Sequence, residues 1–146
     1  MKDHLPLDDQ RRHWQAAYLR DPGKFGDRPS DAGVRAYQLF AHQGARSLLE
    51  LGCGPGRDTV FFARQGLQVT ATDYASNAMD ALATRSTENT SGRIERLLHD
   101  VRFPLPFEDR SFDACYSHML LCMALTTKQI EGILAEIWRV LRPGGL

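Results

Sequence analysis

The stretch Leu48-Leu49-Glu50-Leu51-Gly52-Cys53-Gly54-Pro55-Gly56-Arg57-Asp58-Thr59 decides how this chain folds. Its opening, Ser47 to Leu51, is a short apolar run of the kind that forms a buried strand. Glycines follow at 52, 54 and 56, where the backbone must turn sharply and a ligand can approach with no Cβ in its way. Arg57 to Gln65 then reads as a helix, closed by Gly66 as its C-cap. The first N–H groups of such a helix have no partner within it, so they suit an anionic group or a carboxylate. Strand, glycine turn and helix together make the first βα unit of a parallel sheet.

Downstream the same rhythm repeats. Leu67 to Thr72 is predicted as a second strand, and Ser76 caps a helix running to about Thr87. Thr87-Glu88-Asn89-Thr90-Ser91-Gly92 is a loop, and Arg93 to Leu98 a third strand. A proline-rich connection leads to a fourth strand, Phe112 to Ser117. Thr126 and Gln129 have the T-x-x-Q spacing of a capping box. Behind them Ile130, Ile133, Leu134, Ile137 and Leu141 form an apolar stripe at helical spacing. Arg142-Pro143-Gly144-Gly145 stops that helix.

Upstream, the first twenty residues read as a short helix capped by Asp8 or Asp9 and stopped at Asp21-Pro22-Gly23. Trp14 and Tyr18 share one of its faces, either covering a ligand site or anchoring the helix to the core; the core reading is preferred. Ser30 or Asp31 caps a second helix carrying Val34, Tyr37 and Phe40 or Ala41. The expected division is a helical cap segment, 1–45, and a Rossmann-like α/β core, 46–146, within one structural domain.

Eighteen acidic residues balance eighteen basic ones, so no cationic surplus points to nucleic acid or an anionic membrane. Charges at the N-terminus fall where a signal peptide needs its apolar region, and no apolar run approaches the ~20 residues of a membrane span. Cys53, Cys115 and Cys122 show no metal-type pairing, which suits a reduced, cytoplasmic protein. Cys115 and Cys122 are expected as buried, neutral thiols.

Which ligand the glycine turn serves follows from its spacing. A dinucleotide fingerprint, G-x-G-x-x-G, fails from Gly52, because Arg57 stands at its third glycine, and from Gly54, because Thr59 does. The phosphate-loop G-K-[ST] is absent. What is present is E-x-G-x-G-x-G. With it the sequence resembles the class I S-adenosylmethionine (SAM) dependent methyltransferases, and further segments of their pattern follow in order. Ala71-Thr72-Asp73-Tyr74 closes the second strand, with Asp73 seventeen residues after Gly56. Leu98-His99-Asp100-Val101 closes the third. Leu105-Pro106-Phe107 and Ser111-Phe112-Asp113-Ala114 match the approach to strand four, where Asp113 is read as a structural turn or cap residue. Leu141 to Gly145 matches the turn into a fifth strand.

The resemblance implies SAM as cofactor, S-adenosylhomocysteine as product, and a set of roles. Glu50, Gly52, Cys53 and Gly54 would hold the methionine end, largely through backbone groups. Asp73 would take the ribose hydroxyls and Tyr74 the adenine, with Asp100 and Val101 at the adenine edge. Ser117-His118-Met119-Leu120 would line the site near the methyl group. Nucleic-acid amino methyltransferases carry an Asn/Asp-Pro-Pro-aromatic motif there, so Ser117 to Leu120 points to a small-molecule acceptor. His118 is the one histidine placed to act as a base, against the alternative of a packed histidine. Arg57 and Asp58 either touch the ligand carboxylate or cap the helix.

A sulfonium methyl group is already activated, so in-line positioning carries much of the catalysis and no covalent constellation is required. The family sheet has strand order 3-2-1-4-5-7-6; this chain supplies 3-2-1-4. Strand four is then expected as a bare apolar edge, either because the sequence is truncated or because a second copy covers the edge as a homodimer. A non-catalytic SAM-binding or interaction module is the alternative to an enzyme.

Overall fold

The computed structural model describes residues 6–86, 90 and 94–146. The stretch read first, Ser47–Leu51, forms β1 at the centre of a four-stranded sheet. It pairs in parallel with β2 (Gln68–Asp73) on one side and β4 (Ala114–Ser117) on the other; β3 (Ile94–Leu98) pairs with β2, giving the expected order β3-β2-β1-β4. The register sets Leu51 opposite both Thr72 and Ser117, and Asp73 opposite Leu98, so the carboxyl ends of all four strands open on one crevice.

Side chains of β1 alternate between two cores, because successive residues of a strand point to opposite faces. Leu48 packs with Val60, Phe62 and Leu82 from α3 (Arg57–Arg64) and α4 (Ser76–Arg85), and with Phe40 from α2 (Asp31–His42). Leu49 and Leu51 pack on the other face with Leu105, Phe112, and Ile133 and Val140 from α5 (Thr127–Val140). Helices therefore cover both faces. A preceding helix, α1 (Pro6–Arg20), docks across the crevice end.

Several local expectations need correcting. Asp8 and Asp9 lie inside the first turn of α1, where they complement the helix dipole rather than cap it. Ser76 is the first helical residue of α4, whose N-cap is Ala75; its hydroxyl instead accepts from Gln15 Nε2 at 2.7 Å. Leu134 is half exposed and Trp138 is 83% exposed, so the buried stripe of α5 is narrower than its spacing suggests. Cys122 is exposed and Cys115 only partly buried. The loop expected over 87–92 lies outside the described residues except for Thr90, as does Arg93 at the start of the third strand. Ser30 caps α2, and the Thr126–Gln129 box caps α5 as read.

The outer edge of β4 is not bare along its length. Leu141 bridges Phe112 in parallel, the Arg142 amide donates to Phe112 O at 2.9 Å, and Cys115 N donates to Leu146 O at 2.8 Å. Residues 141–146 thus run beside the first half of the strand. Asp113 organises this corner, accepting from the amides of Arg46 (2.8 Å) and Ser47 (2.9 Å) and from Arg142. Burial pushes its carboxyl up, but those donors outweigh burial and hold it at about 2. No helix among the described residues is long and apolar enough to cross a membrane.

Candidate functional site

The glycine turn rises from β1 in left-handed backbone: φ is 71° at Gly52, 55° at Gly54 and 89° at Gly56. Each position tolerates no side chain for a different reason. A Cβ on Gly56 would sit 2.3 Å from Leu82 Cδ1, one on Gly54 3.1 Å from the Tyr18 hydroxyl, and one on Gly52 3.2 Å from Leu120. The turn is therefore pressed between α4, α1 and the segment after β4.

Most of its amides are occupied within the protein. Those of Gly52 and Cys53 both donate to Thr72 O at 2.9 Å, and that of Gly56 donates to Cys53 O. The Gly54 amide donates to Asp73 Oδ2 at 2.9 Å, while Asp73 Oδ1 accepts from Ala75 N at 2.9 Å. Backbone capture of a ligand at Gly52 to Gly54 is thus narrower than the sequence suggests. What stays open to an anion is the start of α3, which has no side-chain cap.

The crevice is lined by Glu50, Gly52, Cys53, Gly54, Asp73, Tyr74, Val101 and His118, and also by Arg57, Asp58, Met119 and Leu120. Glu50 is 3% exposed, and its Oε2 accepts from Thr59 Oγ1 at 2.6 Å. Burial pushes its carboxyl up to about 8, with Asp58 and Asp73 adding repulsion. Asp73 is also raised by burial, which its two backbone donors only partly offset. Burial likewise raises the Cys53 thiol and moves the Tyr74 phenol to about 12, so both are neutral in ordinary buffers. His118 stacks on Tyr116 with ring centroids 6.5 Å apart.

Asp100 and Ser117 stand outside the lining. Asp100 turns to Arg102, whose Nη2 donates to Asp100 Oδ2 and to Asp8 Oδ1, each at 2.6 Å. Its carboxyl is raised by burial but lowered further by the guanidinium, for a net depression. The residues flanking it, His99 and Val101, face the crevice instead. Ser117 Oγ and Tyr74 Oη are buried side-chain oxygens that lack a hydrogen-bond partner among the described residues.

Leu7, Phe25 and Met123, which carry no signal in sequence, complete the walls together with His99 of the segment closing β3. Phe25 has a left-handed backbone, φ 77°, and its ring lies 5.5 Å from the Arg57 guanidinium. Trp14 and Tyr18 do both things proposed for them. They stack on each other at 5.5 Å, pack in a small cluster with Tyr74, Ala75 and Ala78, and line the crevice. α1 is held there by long-range polar ties. Asn77 N donates to Gln15 Oε1 at 2.8 Å and Ala124 N to Gln10 Oε1 at 2.7 Å. Asp58 accepts from Ser30 Oγ (2.6 Å) and Tyr116 Oη (2.8 Å), so it braces α2, α3 and β4 while its edge meets the crevice.

A parallel α/β sheet of order 3-2-1-4, a glycine turn after β1 and a buried acid ending β2 meet at the crevice outside the carboxyl ends of the strands, where open α/β sheets hold their ligands. Residues 48–145 match the family model described as a methyltransferase domain. The chain belongs to this family, within the class I SAM-dependent group that its motifs resemble. It is similar to a malonyl-[acyl-carrier protein] O-methyltransferase of Serratia marcescens, 29% identical over 116 residues, covering 80% of this chain and 42% of that protein. A thiol S-methyltransferase of Mus musculus is 35% identical over 109 residues, covering 74% and 43%. Among solved structures, a SAM-dependent methyltransferase from Methanosarcina mazei superposes with a TM-score of 0.60 at 31% identity, covering 66% of this chain and 48% of that one. The chain spans less than half the length of the two curated relatives.

Proposed function

We propose that this chain binds SAM in the crevice and serves methyl transfer from it to a small-molecule acceptor, leaving S-adenosylhomocysteine. The observation that carries this reading is the hydrogen bond from Gly54 N to Asp73 Oδ2, which joins the glycine turn to the end of β2 in one acidic wall. That wall suits a cationic, ribose-bearing ligand, and the uncapped start of α3 beside it suits a carboxylate. On this reading Glu50, Gly52, Cys53 and Gly54 flank the methionine end and Asp73 takes the ribose hydroxyls. Tyr74, Val101 and His99 form the adenine slot, with Asp100 behind it fixing Arg102. Residues 1–45 act as a cap on the 46–146 core.

SAM supplies an activated methyl group when bound, so the protein's part is to orient and to exclude water. Trp14, Tyr18, Phe25, Met119, Leu120 and Met123 make the remaining wall largely apolar, which favours an acceptor with apolar bulk. His118 is the side chain in position to accept a proton from such an acceptor. The names of the two curated relatives, an O-methyltransferase of a protein-bound malonyl group and a thiol S-methyltransferase, are consistent with acceptors other than nucleic acid. Free thiols go with a reduced, cytoplasmic setting. The remaining length of β4's edge is where a second copy would pair.

Calorimetric titration with SAM, and separately with NAD, tests the cofactor. SAM is expected to bind and NAD not to; at about 100 times its dissociation constant SAM adds roughly 2.7 kcal/mol of stability. Asp73→Ala is expected to abolish SAM binding while leaving a folded chain. A folded wild-type chain that ignores SAM sinks the proposal. A non-catalytic module is the alternative, favoured by SAM binding without turnover on any acceptor tried.

A further inference from the structure

Three carboxylates, Glu50, Asp58 and Asp73, line one crevice, and each is at most 7% exposed. Among the described residues no Lys or Arg nitrogen lies within ion-pair distance of any of them. Asp58 and Asp73 are provided for by donors: Ser30 N, Ser30 Oγ and Tyr116 Oη for the first, two backbone amides for the second. Glu50 has the single hydroxyl donor Thr59 Oγ1.

The groups around Glu50 and along the crevice bring it one hydroxyl donor and, among the described residues, no cationic partner. From α3 come Asp58, Thr59 and Arg57, the last with its guanidinium over the Phe25 ring. From β2 comes Asp73, from the turn Cys53, from β4 Cys115 and Tyr116, from the segment after β4 His118, and from α1 Tyr18. An acid with this surrounding keeps its proton at neutral pH, because an isolated buried carboxylate costs far more than a neutral one. A cation placed within about 4–6 Å reverses that preference by roughly 1–3 pH units.

We infer that a cationic ligand entering this crevice drives one proton off Glu50 into solvent, so that ligand binding and Glu50 ionisation are a single linked event. The step breaks the carboxyl O–H bond, the proton goes to the buffer, and no electrons move. The incoming cation replaces the proton as the counter-charge of the acidic wall. The inference rests on the SAM reading, since SAM carries both an ammonium and a sulfonium. Its consequence is that SAM affinity rises with pH below about 8, by up to tenfold per unit between the bound and free values of Glu50, as one proton is displaced.

The test is calorimetric titration of the intact chain with SAM at pH 7 in phosphate and again in Tris, whose ionisation enthalpies differ. The difference in observed heat counts the protons released. Release of about 0.4 to 0.9 proton per SAM for wild type, and none for Glu50→Gln, supports the linkage. SAM binding with no proton released, or equal release by Glu50→Gln, overturns the linkage and leaves the cofactor reading intact. Absence of any SAM binding by folded wild type overturns both. Should Glu50→Gln not fold, the wild-type affinity from about pH 5.5 to 8 decides: a rise with pH supports the linkage and a flat profile overturns it. Infrared difference spectra then assign the group, since a protonated-carboxyl band lost on SAM binding is expected and its persistence counts against Glu50.

Discussion

Two glycines in this chain separate backbone strain from packing. Gly56 and Gly66 share nearly the same left-handed φ, 89° and 95°, but a Cβ on Gly56 meets Leu82 at 2.3 Å and one on Gly66 meets nothing within 4 Å. Both alanine variants incur the left-handed cost of about 1–2 kcal/mol. Gly56→Ala also overpacks a fully buried Leu82, adding about 1–3 kcal/mol. Urea denaturation of the pair should therefore show Gly56→Ala as the less stable by that margin; equal losses would mean Leu82 yields freely. At this scale the sequence was legible where a residue type is demanded by backbone or charge: Gly52, Gly54, Glu50 and Asp73 all stand where their motif put them. It placed Asp100 at the adenine edge and gave no sign that this carboxylate is held by an arginine two residues later. A motif records which acid ends a strand, and the competition for that acid is decided by neighbours in space.

Among the elements, strands and helices of the core were legible within a residue or two, because period and caps are local properties. The α5 cap is the cleanest case: Gln129 N donates to Thr126 Oγ1 at 3.2 Å and Thr126 N donates to Gln129 Oε1 at 2.8 Å. Thr126→Ala should lower stability by about 1 kcal/mol, read as a shift of the thermal midpoint, with Thr126→Ser recovering most of it. The docking of α1 was not legible. Gln10 and Gln15 look like ordinary solvated positions of an amphipathic helix, yet they terminate backbone donors at Ala124 and Asn77. The pairing of residues 141–146 with β4 was legible only through the resemblance, as a turn into a fifth strand; by itself a Pro-Gly-Gly turn reads as a helix stop.

For the molecule as a whole, the acid-lined crevice makes folding itself pH-dependent. Glu50 sits at about 8 in the fold against an ordinary value of 4.5, so between those limits the folded chain holds a proton that the unfolded chain has lost. Stability is therefore greatest near the acid end of that window and falls as pH rises towards 8, by at most ~1.4 kcal/mol per unit. Chemical denaturation at pH 5.5, 6.5 and 7.5 should reveal the decline, and Glu50→Gln should flatten it. A wild-type profile rising across that range would place Glu50's proton elsewhere. The ties that seat α1 over the same crevice have a consequence in time. They join Asp8 to Arg102 and Gln10 to Ala124, spans of 94 and 114 residues. On a ribosome α1 must therefore wait until Arg102 and Ala124 have emerged before these polar partners exist. The crevice is roofed late by a helix that precedes its walls in the chain.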